Sequence, residues 1–121
     1  GIRDQVAVMA SGGIRTPEDV LKAISLGADG VVIGTAELVA IDCVRCTNCE
    51  RDRGCPIGIA TTDPELAPRM TVDWVHARVV RMYQSWAKYL RKRISHLGLG
   101  SVRELCGRRD LLRYGEEGSG Q

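Results

Sequence analysis

Residues 6–38 read VAVMASGGIRTPEDVLKAISLGADGVVIGTAEL, and this stretch decides the expected fold class. VAVMAS (Val6–Ser11) is short and apolar without polar alternation, the pattern of a strand buried on both faces of a parallel sheet. It runs into GGIRTPEDV, where Thr16 suits a helix N-cap, Pro17 the first helical position and Asp19 the third. A helix is predicted from Pro17 to Leu26, burying Val20, Ala23 and Ile24, with Gly27 as its stop. DGVVIGTAEL repeats the plan: a strand at Gly30–Ile33, a Gly-Thr turn, and a helix reaching Ala40. Strand–loop–helix twice in succession argues a parallel β/α fold. Two apolar strands do not complete a parallel sheet, so further strands are expected elsewhere.

Both strands end in glycine. ASGGIR (Ala10–Arg15) and IGTAEL (Ile33–Leu38) place glycines where backbone N–H groups beside a helix start can hold an anion. Barrels of eight β/α units often keep a phosphate at the loops after strands seven and eight. The plainer reading is a pair of tight turns. Neither loop is the dinucleotide fingerprint G-x-G-x-x-G, and no P-loop is present.

Next comes CVRCTNCERDRGCP, residues 43–56. Cys43, Cys46, Cys49 and Cys55 are spaced C-x2-C-x2-C-x5-C-P, close to the compact run of bacterial ferredoxins but with a longer last gap. Thiolates suit iron–sulfur or zinc, and Arg45, Arg51 and Arg53 would offset the charge of a thiolate-bound cluster. Iron–sulfur is the expectation, with structural zinc and free thiols as alternatives. Five cysteines is an odd total, which argues against a secreted disulfide framework and for a reducing compartment. Cys106, inside VRELCG, reads as a buried free thiol.

Residues 57–71 are polar, proline-bearing and irregular. A long helix is predicted from Val72, with Val75, Val79, Met82, Trp86 and Tyr89 forming one apolar stripe. Ser101 caps a short helix with Glu104 three residues on, a capping box, and 114–121 reads as a flexible tail. His76 and His96 read as structural, since no carboxylate–histidine–nucleophile arrangement surrounds them, and Trp74, Trp86 and Tyr89 read as packing residues rather than a cofactor box.

The 121 residues carry a net charge of +2, unevenly placed. Residues 1–68 hold six basic and ten acidic side chains, residues 69–113 eleven basic and three acidic. No nucleic-acid motif accompanies the basic half, which reads as a solvated helix face or a surface for an acidic protein. No apolar run is long enough to span a membrane, and the start has no signal-peptide pattern. The expectation is a cytoplasmic chain without membrane or nucleic-acid partners. The chain does not begin with Met and reads as processed or excerpted.

Three separate stretches resemble one family. ASGGIRTPEDVLKAISLGADGVVIGTAEL, the cysteine run closing in CPIGIATTDPEL, and SVRELCGRRDLL are similar to the FMN-binding synthase domain of glutamate synthase, archaeal-type included. The resemblance implies an α/β fold, the C-terminal part of a (β/α)8 TIM barrel. Residues 1–41 would be its last two β/α units, 42–71 an iron–sulfur loop, and 72–113 a C-terminal helical segment.

It also implies function. Gly12, Gly13, Gly34 and Thr35 would hold the FMN phosphate, with Ser11 close to the flavin. The family's [3Fe–4S] cluster uses C-x5-C-x4-C; Cys43 and Cys49 keep the first gap, and Cys55 follows with one residue more. Cys46 is additional and would complete a [4Fe–4S] cluster or stay free. The implied reaction reduces 2-iminoglutarate, formed from 2-oxoglutarate and glutamine-derived ammonia, to L-glutamate. The implied partners are the remainder of the barrel, upstream or on another chain, a glutaminase domain or subunit, and an electron donor such as ferredoxin or an NAD(P)H-oxidising subunit. The fragment alone is expected to be inactive, and its catalytic residues are unassigned. The alternatives are a non-catalytic iron–sulfur electron-transfer module and a zinc-stabilised interaction domain.

Overall fold

The computed structural model describes residues 1–113 and 115. Apart from Gly115, the tail expected at 114–121 lies outside the described residues. Two short strands, β1 (Met9–Ser11) and β2 (Gly30–Val32), pair in parallel with Ser11 opposite Val32. Between them in the chain runs α1 (Pro17–Ser25), and after them α2 (Thr35–Ala40). The long α3 (Val72–His96) and the single-turn α4 (Val102–Leu105) complete the main elements.

The start of α1 follows from local chemistry. The Asp19 N–H donates to Thr16 Oγ1 at 3.3 Å, and the Asp19 carboxylate accepts from the N–H groups of Thr16 at 2.9 Å and Arg15 at 3.0 Å. Those bonds satisfy otherwise orphaned amides. They also hold the Asp19 carboxyl below its usual range, the Arg15 amide contributing most. Val20, Leu21 and Ile24 are buried on the inner face of α1, whereas Ala23, expected there, is half-buried. They pack with Ile94 of α3 and Leu105 of α4, the most deeply buried side chain.

The stripe of α3 predicted from Val75 to Trp86 is half-buried, and Tyr89 is exposed along its edge. Polar ties fasten the helix. The Tyr89 hydroxyl donates to Glu18 of α1, which also accepts from Arg93 at 3.5 Å. The Tyr83 hydroxyl donates to Glu37 of α2. Arg78 lies 4.4 Å over the Trp74 ring and donates to Asp42 at 3.0 Å. At α4, Ser101 Oγ accepts from the Glu104 N–H, but the Glu104 carboxylate turns to the Gly100 N–H at 3.1 Å, so the expected capping box is shifted by one residue.

The expected fold class needs correction. The described residues form a mostly helical chain with one small, open, two-stranded sheet, and no (β/α)8 TIM barrel or part of one is defined. Barrel closure pairs every strand on both sides; here each strand has one neighbour and three residues. Nor are the strands buried on both faces. Val6, Val8, Met9 and Val32 are all more than two-fifths exposed. An apolar run marks a strand suited to burial, but only elements packed on its faces can bury it.

Candidate functional site

The parallel register sets the strand ends side by side. Beyond Ser11 the chain turns through Gly12 at φ 88° and Gly13 at φ 73°, a left-handed pair that residues with a Cβ rarely adopt. Beyond β2, Gly34 and Thr35 begin α2. Ser11, Gly12, Gly13, Gly34 and Thr35 all line one cavity of about 250 Å3, shared with Ile14, Val32 and two arginines, Arg15 and Arg45. All five flavin-site residues expected from the sequence thus meet at one place.

The arginines were not among the expected site residues. Arg15 directly follows the two glycines of ASGGIR, and that adjacency is the sequence signal for it. The sequence expectation for Arg45 is to offset cluster charge. Instead its backbone, at φ 56°, carries it to the end of the glycine loops. Two guanidiniums, a threonine hydroxyl and glycine-rich backbone around a small cavity suit an anion.

The cysteine segment behaves differently. Among the described residues no group of three or more His, Cys, Asp and Glu side chains is placed to hold a metal ion. The iron–sulfur and metal-binding expectation for Cys43, Cys46, Cys49 and Cys55, and the zinc alternative, are therefore corrected. The backbone supplies the reason. It enters the left-handed region at Asp42, Arg45, Thr47, Asp52 and Gly54, with a single 3-10 turn at Cys49–Arg51. Cys46 and Cys49 are exposed, whereas Cys43 and Cys55 are half-buried.

Two of the thiols have backbone donors of their own. The Arg45 N–H donates to Cys43 Sγ at 3.4 Å. Backbone N–H groups of Ala60, Ile57, Ile59 and Gly58 surround Cys55 and lower its thiol to about 7, Ala60 contributing most. Gly58 makes this turn possible: at φ 104°, an added Cβ would stand 2.5 Å from the Leu66 carbonyl oxygen. Cys106 is half-buried rather than buried, its Sγ 3.5 Å from the Ala28 carbonyl. His76 is exposed, and His96 Nδ1 lies 2.8 Å from the Lys92 carbonyl, a contact within its own helix. No helix among the described residues is long and apolar enough to cross a membrane.

By geometry the chain is a helix-rich module with a cationic cavity at the ends of two parallel strands. It belongs to the glutamate synthase family: the family pattern described as "Conserved region in glutamate synthase" matches residues 1–100. The archaeal glutamate synthase [NADPH] of Methanocaldococcus jannaschii is 42% identical over 113 residues, covering 93% of this chain. The archaeal-type glutamate synthase [NADPH] of Thermotoga neapolitana is 40% identical over the same length. The chain spans 22% of the length of each. The ferredoxin-dependent glutamate synthase of Cyanidium caldarium is 34% identical over 113 residues, with 7% of that protein covered. The described residues define neither a metal centre nor a complete flavin pocket.

Proposed function

We propose that this chain is one segment of a glutamate synthase-like flavoprotein oxidoreductase, and that its task is to hold the phosphate end of FMN. The observation that carries this reading is the shared cavity of Ser11, Gly12, Gly13, Gly34 and Thr35 with Arg15 and Arg45. The left-handed glycines let a phosphate approach the backbone closely, and the guanidiniums supply charge-assisted donors. When bound, FMN supplies the hydride that converts 2-iminoglutarate, from 2-oxoglutarate and glutamine-derived ammonia, to L-glutamate. This chain's residues fix the cofactor's tail. Substrate contacts and the ammonia-supplying glutaminase belong to other parts of the enzyme. The reductant is NADPH, as in the names of the archaeal-type relatives, or ferredoxin, as in that of the algal one. No step is routed through the cysteine segment.

Gly34→Asp tests the reading. Gly34 has φ −137° and nothing within 4 Å of an added Cβ, so the backbone accepts the substitution and the carboxylate meets the phosphate position. In the purified full-length polypeptide, the variant should lose FMN affinity by about tenfold or more with an unchanged melting temperature. A wild-type protein that takes up no flavin, or a variant that keeps it fully, overturns the proposal.

A further inference from the structure

The two glycine loops are only as well placed as the strands that carry them. β1 and β2 have three residues each, and Met9 and Val32 are more than half exposed. Neither ladder length nor burial therefore fixes how one strand sits along the other. A slip of one residue would move Gly12 and Gly13 by about 3.3 Å relative to Gly34 and Thr35. A binding site has to be held to within about 0.5 Å.

The opposite ends of the strands carry a clamp. Asp29 stands across from Val8, one step before the Met9–Gly30 pair. Its N–H donates to the Val8 carbonyl at 2.8 Å, and its carboxylate accepts from the Val8 N–H at 2.7 Å. One residue thus engages both backbone groups of its neighbour. The same carboxylate oxygen lies 3.0 Å from the Arg3 guanidinium. Arg3 also donates to the Gly27 carbonyl at 2.6 Å and the Val6 carbonyl at 3.2 Å, so it grips the chain ahead of each strand. Hydrogen bonds to an ionised carboxylate are the stronger kind. A slipped register would separate Asp29 from Val8 and break both of their bonds. Arg3 and Asp29 are both well exposed, so the ion pair itself adds little to overall stability.

We infer that Asp29, held by Arg3, is a positioning residue for the phosphate cavity: it fixes the register of β1 on β2 and with it the spacing of the two glycine loops. The ligand of that cavity rests on the flavin reading above, whereas the clamp rests on its own hydrogen bonds.

The test uses the purified full-length polypeptide, with FMN titration and backbone hydrogen exchange side by side. Asp29→Ala should weaken FMN by about tenfold, through loss of the Val8 and Arg3 bonds. Well below its melting temperature, it should also speed exchange at residues 11–13 and 33–35. Asp29→Asn keeps an oxygen for the Val8 N–H and should bind FMN to within about threefold of wild type. Arg3→Gln, which leaves Asp29 in place, should fall between the two and carries the test if Asp29→Ala does not fold. A folded Asp29→Ala protein with wild-type FMN affinity, an Asp29→Asn protein no better than Asp29→Ala, or unchanged exchange at both loops would each overturn the inference. A wild-type protein that takes up no flavin overturns the flavin reading alone. Exchange at the loops then decides the clamp: faster in Asp29→Ala supports it, unchanged overturns it.

Discussion

The glycine loops and the cysteine segment are both dense motifs, but only the first is gathered into a site. The glycine loops stand at the ends of two hydrogen-bonded strands, and α1 behind them is capped and rooted in the core. Their positions are set by contacts between residues far apart in sequence. The cysteine segment from 42 to 55 is shaped by short-range turns and left-handed residues, with Ile41 the last buried side chain before it. Close spacing limits how far apart four thiols can be. It does not make them converge, which takes a framework outside the motif.

Mutations at the two regions should separate on this basis. Leu105→Ala, at the most buried side chain beneath α1 and α3, should destabilise the chain by about 2–5 kcal/mol in chemical denaturation. A loss below about 1 kcal/mol would mean that the glycine loops do not depend on that core. Thr16→Ala removes the N-cap of α1 and should cost about 1 kcal/mol, seen as a lower melting temperature.

The cysteine segment should answer to pH instead. The folded thiol of Cys55 lies at about 7, below its ordinary 9.0, so folding favours the thiolate. Its contribution to stability is complete above the unfolded value and is lost as pH falls through about 7. Alkylation of Cys55 should rise through pH 7. A Cys55 alkylation rate that begins to rise only near 9.0 would remove the effect assigned to the CPIGIA turn. The smallest effect is expected at Cys46→Ser. An exposed side chain away from core and caps should change stability by less than about 0.5 kcal/mol, and a larger loss would reveal contacts that hold the segment together.

Legibility in the sequence followed the same division. The Thr16-Pro17-Glu18-Asp19 start, the stop after Leu26 and the start of α3 after Thr71 depend on neighbours a turn away, so residue order expresses them directly. That the two glycine-bearing strand ends lie together was readable because each ends a short apolar strand and precedes a helix start, and parallel pairing sets such ends side by side. The burial of VAVMAS was not readable, because it depends on what covers the strand rather than on its composition. The place of Arg45 at the glycine loops was not readable for a related reason: it depends on a backbone turn that carries it out of the cysteine motif that contains it.

Among the side chains that fasten α3 to earlier segments, Arg78, Tyr83 and Tyr89 fall within twelve residues, about 16 Å of helix. A single stiff rod therefore fixes the distance between the start of the cysteine segment, at Asp42, and the base of α1, at Glu18. A shift along its axis would be felt at both ends at once, so α3 serves this small molecule as a ruler.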